Sequence, residues 1–130
     1  MRSSCIPAYI FFQHELKMTN LKIIIIDDEV DYCTILKSYF QQKDYEVFLA
    51  FTLKEGLEMI NNVHPDILFL DNNLPDGKGW PHLDTIVEKN PHIRAYLISA
   101  HQQKSDFSSP SANVTVWEKP LSLNLLNQNF

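Results

Sequence analysis

The feature that most constrains the fold is a run of four isoleucines, 23–26, that ends directly in Asp27 and Asp28. A continuous β-branched run of this kind is typical of a strand that is covered on both of its faces. Strands covered on both faces occur mainly in parallel sheets that carry helices on each side. The run therefore predicts an α/β fold, provided that further strands alternate with helices along the chain.

The rest of the chain shows this alternation. Apolar runs predict five strands, at 21–26, 45–51, 66–70, 93–99 and 114–117. Helical spacing of apolar residues predicts helices at 30–43, 53–62 and 79–90. Thr52 is the expected N-cap of the second helix, with Glu55 three residues on as its capping-box partner. Short crossovers between such strands are right-handed, so the pattern predicts a doubly wound parallel sheet.

Two segments depart from this regularity. Residues 101–113 contain four serines and Pro110, with Phe107 as the one large apolar residue, so we expect a fourth helix there to be weak or missing. The final segment, 121–130, allows at most a brief last helix.

Composition sets limits on location and partners. A chain of 130 residues with 45% hydrophobic residues is long enough for one domain with a real core. The formal net charge of -5 and the absence of a basic stripe argue against nucleic-acid binding. The apolar stretch 5–12 is too short to span a bilayer, so no membrane association is expected. The two cysteines, Cys5 and Cys33, show neither metal nor redox spacing and favour a cytoplasmic location.

Residues 1–17 differ in character from the rest of the chain, and we interpret them as an N-terminal extension, either disordered or the product of an upstream start. The folded domain is then expected over 18–130, beginning at Met18.

Polar residues follow the predicted strands at their carboxyl ends. They are Asp27, Asp28, Asp71, Ser99 and Lys119. In open parallel sheets this edge is where ligands bind. Carboxylates about 4 Å apart repel by roughly 4 kcal/mol per pair at an effective dielectric near 20, so three of them call for a cation. Mg²⁺ suits carboxylate oxygens and phosphate, and a phosphoryl group could then be accepted on Asp71.

Each residue also has a simpler interpretation. Acidic residues at 27–29 could only stabilise a helix N-terminus, and Asp71 could be a turn residue before Pro75 and Gly77. Exposed serine and lysine are common and carry no information alone. The joint pattern, with each group at a strand end of one sheet, favours a phosphoryl site.

Four motifs in order carry a family resemblance over residues 21 to about 126. They are IIIIDDE (23–29), ILFLDNNLPDGKG (67–79), YLISA (96–100) and EKP (118–120). The chain resembles the receiver domains of two-component response regulators. The resemblance implies a flavodoxin-like sheet of strand order 2-1-3-4-5. It also implies that Asp71 accepts phosphate from a sensor histidine kinase or phosphotransfer protein and that the module then switches interactions with an output partner.

The resemblance further implies roles for the site residues. Asp28 and Asp71 would bind Mg²⁺ directly, Asp27 through water, and Asn73 through its main-chain carbonyl. Ser99 and Lys119 would contact the phosphoryl group, and the bond before Pro120 would be cis. The module would catalyse only its own phosphoryl uptake and slow hydrolysis.

The sequence also departs from the family pattern. Val116 occupies the place of an aromatic residue whose rotation reports phosphorylation, and strand alternation directs the neighbouring Trp117 to the opposite face. Phosphorylation could instead order residues 101–113.

Two rival functions remain open at this stage. A haloacid-dehalogenase-type phosphohydrolase also uses an aspartate after a strand, but its second acidic residue would fall at Asn73, which has no carboxyl proton to donate. The other rival is a phosphate-independent binding module on the same scaffold.

Overall fold

The structure is a computed structural model, and it describes residues 21–100 and 113–130. Its strands are β1 (Lys22–Ile26), β2 (Glu46–Ala50), β3 (Ile67–Asp71), β4 (Asn73–Leu74), β5 (Gly77–Lys78), β6 (Arg94–Ser99) and β7 (Val114–Glu118). Its α-helices are α1 (Val30–Gln41), α2 (Leu53–Val63), α3 (Leu83–Lys89) and α4 (Leu123–Asn129). A 3₁₀ turn, Trp80–His82, leads into α3. The predicted extension at 1–17, and the predicted weak or missing helix except for Asn113, lie outside the described residues.

Five of these strands form the predicted parallel sheet. Its order is β2-β1-β3-β6-β7, which confirms the predicted order 2-1-3-4-5, because β6 and β7 are the fourth and fifth predicted strands. In the register, Ile26 pairs with Ala50 and with Leu70, and Asp71 pairs with Ile98. The carboxyl ends of the strands therefore lie side by side at one edge.

The isoleucine run is buried on both sides of the sheet. Ile24 and Ile26 face a core formed with α2 and α3, whereas Ile23 and Ile25 face a core formed with α1 and α4. All four side chains are at most 1% exposed. Full burial of an isoleucine contributes about 1.5–3 kcal/mol, so these four side chains are a large part of what holds β1 between the two cores.

The core beside α1 and α4 is rich in aromatic rings. Phe69 stacks on Tyr96 with a centroid distance of 5.1 Å, and Tyr96 lies 4.5 Å from the ring of Trp117. Phe40 of α1 packs edge-on against Phe69 at 5.5 Å. Val116 packs into the opposite core, so the predicted alternation of residues 116 and 117 is confirmed.

Helix termini follow the predicted pattern in part. The Thr52 hydroxyl accepts a hydrogen bond from the Glu55 amide at 3.1 Å, and the Glu55 carboxylate reaches back to the Phe51 amide at 2.9 Å. The last helix is brief, with seven residues, as expected.

Val30 and Ile35, which the helical spacing had placed on the apolar stripe of α1, are 54% and 68% exposed, so the predicted stripe was too wide.

The hairpin formed by β4 and β5 was not predicted. Its two strands pair antiparallel, Asn73 with Lys78 and Leu74 with Gly77. The hairpin leads the chain away from Asp71 at the edge of the sheet. Within 21–100 and 113–130, no helix is both long and apolar enough to cross a membrane.

Candidate functional site

Three carboxylates converge at the carboxyl edge of the sheet and form what we call the acidic pocket: Asp27, Asp28 and Asp71. Asp27 and Asp28 follow β1, and Asp71 is the last residue of the neighbouring β3. Each contributes one carboxylate oxygen, and these oxygens lie within 4.8 Å of one another. Asp27 and Asp71 are 2% and 4% exposed, whereas Asp28 is exposed and open to solvent.

Local hydrogen bonds fix the position of Asp27. Its amide donates to the carbonyl oxygen of Ala50 at 3.0 Å, which continues the pairing of β1 with β2 beyond the strand. Its carboxylate Oδ1 accepts from the Glu29 amide at 3.0 Å, and the Cys33 thiol donates to its carbonyl oxygen at 3.3 Å. Asp27 is therefore held by the strand behind it and by the helix in front of it.

A tight turn after β3 holds Asp71 at the bottom of the pocket. Gly79 packs against it so closely that a Cβ there would lie 2.3 Å from the main-chain oxygen of Asp71. The Gly79 amide donates to the carbonyl oxygen of Asn72 at 3.1 Å, and the Trp80 indole donates to that of Leu70 at 3.2 Å. The glycine eight residues after Asp71 is thus required by a backbone contact.

Lys119 is the cation of the pocket. Its Nζ lies 2.7 Å from Asp27 Oδ2, 2.5 Å from Glu29 Oε1 and 4.0 Å from Asp71 Oδ1. Its amide donates to the carbonyl oxygen of Ser99 at 2.8 Å, which joins the ends of β6 and β7. Ser99 is 3% exposed at the end of β6. The peptide bond between Lys119 and Pro120 is cis.

Burial and crowding shift the pKa values of both kinds of group. Burial, followed by the nearby charge of Asp27, raises the pKa of Asp71 from 3.8 to about 6. Burial alone would lower the pKa of Lys119, but its hydrogen bonds to Asp27 and Glu29 outweigh this effect and raise it. Lys119 therefore stays protonated, and its ammonium is closer to Asp27 and Glu29 than to Asp71.

The residues present fit a hard divalent cation. The three side chains of the acidic pocket offer only oxygen atoms, which are the ligands that Mg²⁺ prefers. Asn73 lies in β4, two residues beyond Asp71, and its side-chain oxygen accepts a hydrogen bond from the Lys78 ammonium at 2.6 Å. The part of its main-chain carbonyl in the ligand set stays a prediction.

The structure thus gathers the predicted acidic residues and Lys119 into one pocket, with Ser99 and Asn73 on the segments that border it. It also shows partners that the sequence pattern did not indicate. Glu29 pairs with Lys119, and the Tyr32 ring lies 4.9 Å from the same ammonium. The Asp76 carboxylate accepts from the amides of Leu53 and Lys54 at 2.7 and 2.9 Å and so caps α2. These contacts span 22 to 90 residues and leave no local sequence signal.

The fold and the pocket together define the class of protein, an α/β receiver domain with an acidic pocket at the carboxyl edge of its sheet. The sequence model of the family described as the response regulator receiver domain matches residues 23–122. The chain belongs to this family.

Similar proteins agree with this assignment. The chain is 32% identical over 87 residues to chemotaxis protein CheY of Listeria monocytogenes, an alignment that covers 65% of this chain and 71% of that protein. Another curated relative, the regulatory protein LuxO of Vibrio cholerae, is much longer, and the alignment spans only 17% of it.

Solved structures show the same fold. A CheY-like receiver domain protein from Methanospirillum hungatei superposes with a TM-score of 0.74 at 26% identity, covering 85% of this chain and 90% of that one. Response regulator TrrA from Thermotoga maritima, solved in complex with Mg²⁺ and BeF, gives a TM-score of 0.71 at 26% identity, covering 83% and 95%.

Proposed function

We propose that this chain is a phosphoacceptor module of a two-component system. Asp71 accepts a phosphoryl group from a phosphohistidine of a sensor kinase or phosphotransfer protein, with Mg²⁺ required. The phosphorylated module then changes its interactions with an output partner. The chemistry is limited to this uptake and to slow hydrolysis of the acyl phosphate.

The observation that carries the proposal is the acidic pocket with Lys119 beside it. The carboxylate oxygens of Asp27, Asp28 and Asp71 lie within 4.8 Å of one another, and Lys119 Nζ is 4.0 Å from Asp71. Phosphoryl transfer needs positioning and positive charge around the transferring oxygens more than it needs acid–base groups. This pocket provides a nucleophile, a cation site and an ammonium together.

Each residue has a defined part in the proposed reaction. A carboxylate oxygen of Asp71 attacks phosphorus, the bond from phosphorus to the donor imidazole nitrogen breaks, and that nitrogen keeps the electron pair. Asp28, Asp71 and the main-chain carbonyl of Asn73 would hold the cation directly, and Asp27 would hold it through water. When bound there, Mg²⁺ would supply positive charge beside the phosphoryl oxygens.

Lys119 and Ser99 act on the product. The Lys119 ammonium pairs with one phosphoryl oxygen, and the Ser99 hydroxyl donates to another. Their backbones are joined by the 2.8 Å hydrogen bond between the Lys119 amide and the Ser99 carbonyl, so the two groups lie on adjacent strand ends.

The complex of TrrA with Mg²⁺ and BeF gives independent support, since that protein shares the fold and 26% of aligned residues with this chain.

Labelling with radioactive acetyl phosphate tests the proposal. Wild-type protein should take up at most one phosphoryl group per chain, only with Mg²⁺, and Asp71→Asn should take up none. Asp84→Asn is the matched control, because Asp84 is an exposed carboxylate of α3 that does not belong to the acidic pocket, and it should label normally. Label that persists in Asp71→Asn, or steady turnover of p-nitrophenyl phosphate, would refute the proposal, the latter in favour of a phosphohydrolase.

A further inference from the structure

The side chain of Glu29 makes a contact that neither the fold nor the acidic pocket explains. Glu29 occupies the N-cap position of α1, yet its side chain makes no capping hydrogen bond. It is also not one of the three carboxylates that form the acidic pocket. Instead, its Oε1 lies 2.5 Å from the ammonium of Lys119.

This contact helps to hold Lys119 away from Asp71. Lys119 Nζ is within 2.7 Å of both Asp27 and Glu29 but 4.0 Å from Asp71. An ammonium has three protons to donate, and two of them are directed to these nearer carboxylates. Lys119 Nζ lies beyond hydrogen-bond distance of Asp71, so a phosphoryl group on Asp71 competes with these two carboxylates for the position of the ammonium.

We propose that Glu29 is a positioning residue that competes with the phosphoryl group of Asp71 for Lys119 and thereby limits the stability of the phosphorylated state. This inference rests on the proposed function. Asp27 is the less mobile partner, because it is buried and its other oxygen is bonded to the Glu29 amide. Glu29, with a side chain 61% exposed, is the partner that can be released into solvent.

The exposure of Glu29 also sets the size of the effect. Ion pairs with an exposed partner are weak, and loss of this one corresponds to roughly a two- to fivefold change in an equilibrium constant. Glu29 is thus expected to adjust the stability of the phosphorylated state by a small factor and not to decide whether it forms.

Two consequences of opposite sign are expected for Glu29→Gln. In the resting protein, Lys119 is released toward Asp71 and competes there with a cation, so Mg²⁺ should bind roughly two- to fivefold more weakly. With Mg²⁺ saturating, the released lysine is available to a phosphoryl mimic, so beryllofluoride should bind tighter by a similar factor, roughly two- to fivefold. A general loss of structure would weaken both.

The experiment is a pair of fluorescence titrations, first with Mg²⁺ alone and then with beryllofluoride at saturating Mg²⁺. Trp80 is the reporter, because its amide donates to the side chain of Asn72, the residue directly after Asp71. Asp31→Asn is the matched control. It removes the same charge from the same end of α1, and Asp31 is exposed and outside the set of ion-pair partners found for Lys119 in the described residues.

We expect opposite shifts of the two affinities in Glu29→Gln and neither shift beyond twofold in Asp31→Asn. The inference is overturned if Glu29→Gln matches Asp31→Asn in both titrations, or if both of its affinities change in the same direction. Wild-type protein that binds Mg²⁺ but not beryllofluoride would overturn the proposed function and this inference with it. Wild-type binding without an effect of Glu29 would overturn the inference alone.

Discussion

We predict that the charge of Asp71 destabilises the resting protein and that Asp71→Asn raises the free energy of unfolding. The carboxylate is 4% exposed, and this burial, followed by the nearby charge of Asp27, raises its pKa from 3.8 to about 6. The folded chain therefore binds the Asp71 proton more tightly than the unfolded chain does. Between about pH 4 and 6 the folded state carries more protons, so its stability falls as pH rises through this window.

The size of the effect follows from the shift. A shift of about two units corresponds to about 3 kcal/mol, since each unit is about 1.36 kcal/mol. Asp71→Asn removes the charge and keeps the shape of the side chain. In Mg²⁺-free buffer at pH 7.5 it should therefore raise the free energy of unfolding by about 2–3 kcal/mol, and near pH 4 the gain should vanish.

Urea unfolding in EDTA measures this difference. With a denaturant slope of about 1–3 kcal/mol per molar, the midpoint should move up by about 0.7–3 M at pH 7.5. Asp84→Asn is the control, because it removes an exposed carboxylate from the first turn of α3 and should stabilise nothing. Mg²⁺ at ten times its dissociation constant should stabilise the wild type by about 1.4 kcal/mol and Asp71→Asn by less. The reasoning is refuted if Asp71→Asn is no more stable than the wild type at pH 7.5, or if its gain in stability is as large at pH 4 as at pH 7.5.

Three further variants or reagents test other parts of the structure. Phe40→Ala should lower the free energy of unfolding by about 3–5 kcal/mol in urea, because the ring is fully buried against Phe69; a loss below about 1 kcal/mol would contradict this packing. Gly79→Ala should weaken Mg²⁺ binding in a calorimetric titration, because its Cβ would meet the main-chain oxygen of Asp71 at 2.3 Å; unchanged affinity would show that the turn yields freely. Burial raises the pKa of the Cys33 thiol to about 12, so peptide mapping after iodoacetamide at pH 8 should find Cys33 unmodified in folded protein and modified in urea.

The strands and their shared edge were predictable because the signal for them is local. The isoleucine run predicts a strand covered on both faces, and parallel strands necessarily bring their carboxyl ends to one edge. That edge is where Asp27, Asp71 and Lys119 lie. The capping box at Thr52 was predictable for the same reason, since its two residues are three apart in sequence.

The features that the sequence did not predict depend on long-range contacts or on very short elements. The hairpin at 73–78 has strands of two residues, too short to show any period. Glu29 meets Lys119 across 90 positions, and Asp76 caps α2 from 23 positions away. Val30 and Ile35 fit a helical period but are exposed, because only the side of α1 that carries Cys33, Leu36 and Phe40 packs against the sheet.

Because residue 116 is a valine, phosphorylation of Asp71 would have to act on other residues than an aromatic ring at this position. Val116 has no aromatic ring to rotate. Its β-branched side chain is restricted at χ1 and packs against the core beside α2 and α3. The Tyr32 ring on α1 lies 4.9 Å from Lys119 Nζ, and Trp117, two residues before Lys119, packs in the core shared by α1 and α4. A movement of Lys119 toward Asp71 would therefore change its contact with Tyr32 of α1 first. Among the described residues, the Tyr32 ring on α1, rather than an aromatic ring at position 116 of β7, lies against the ammonium that a phosphoryl group on Asp71 would attract.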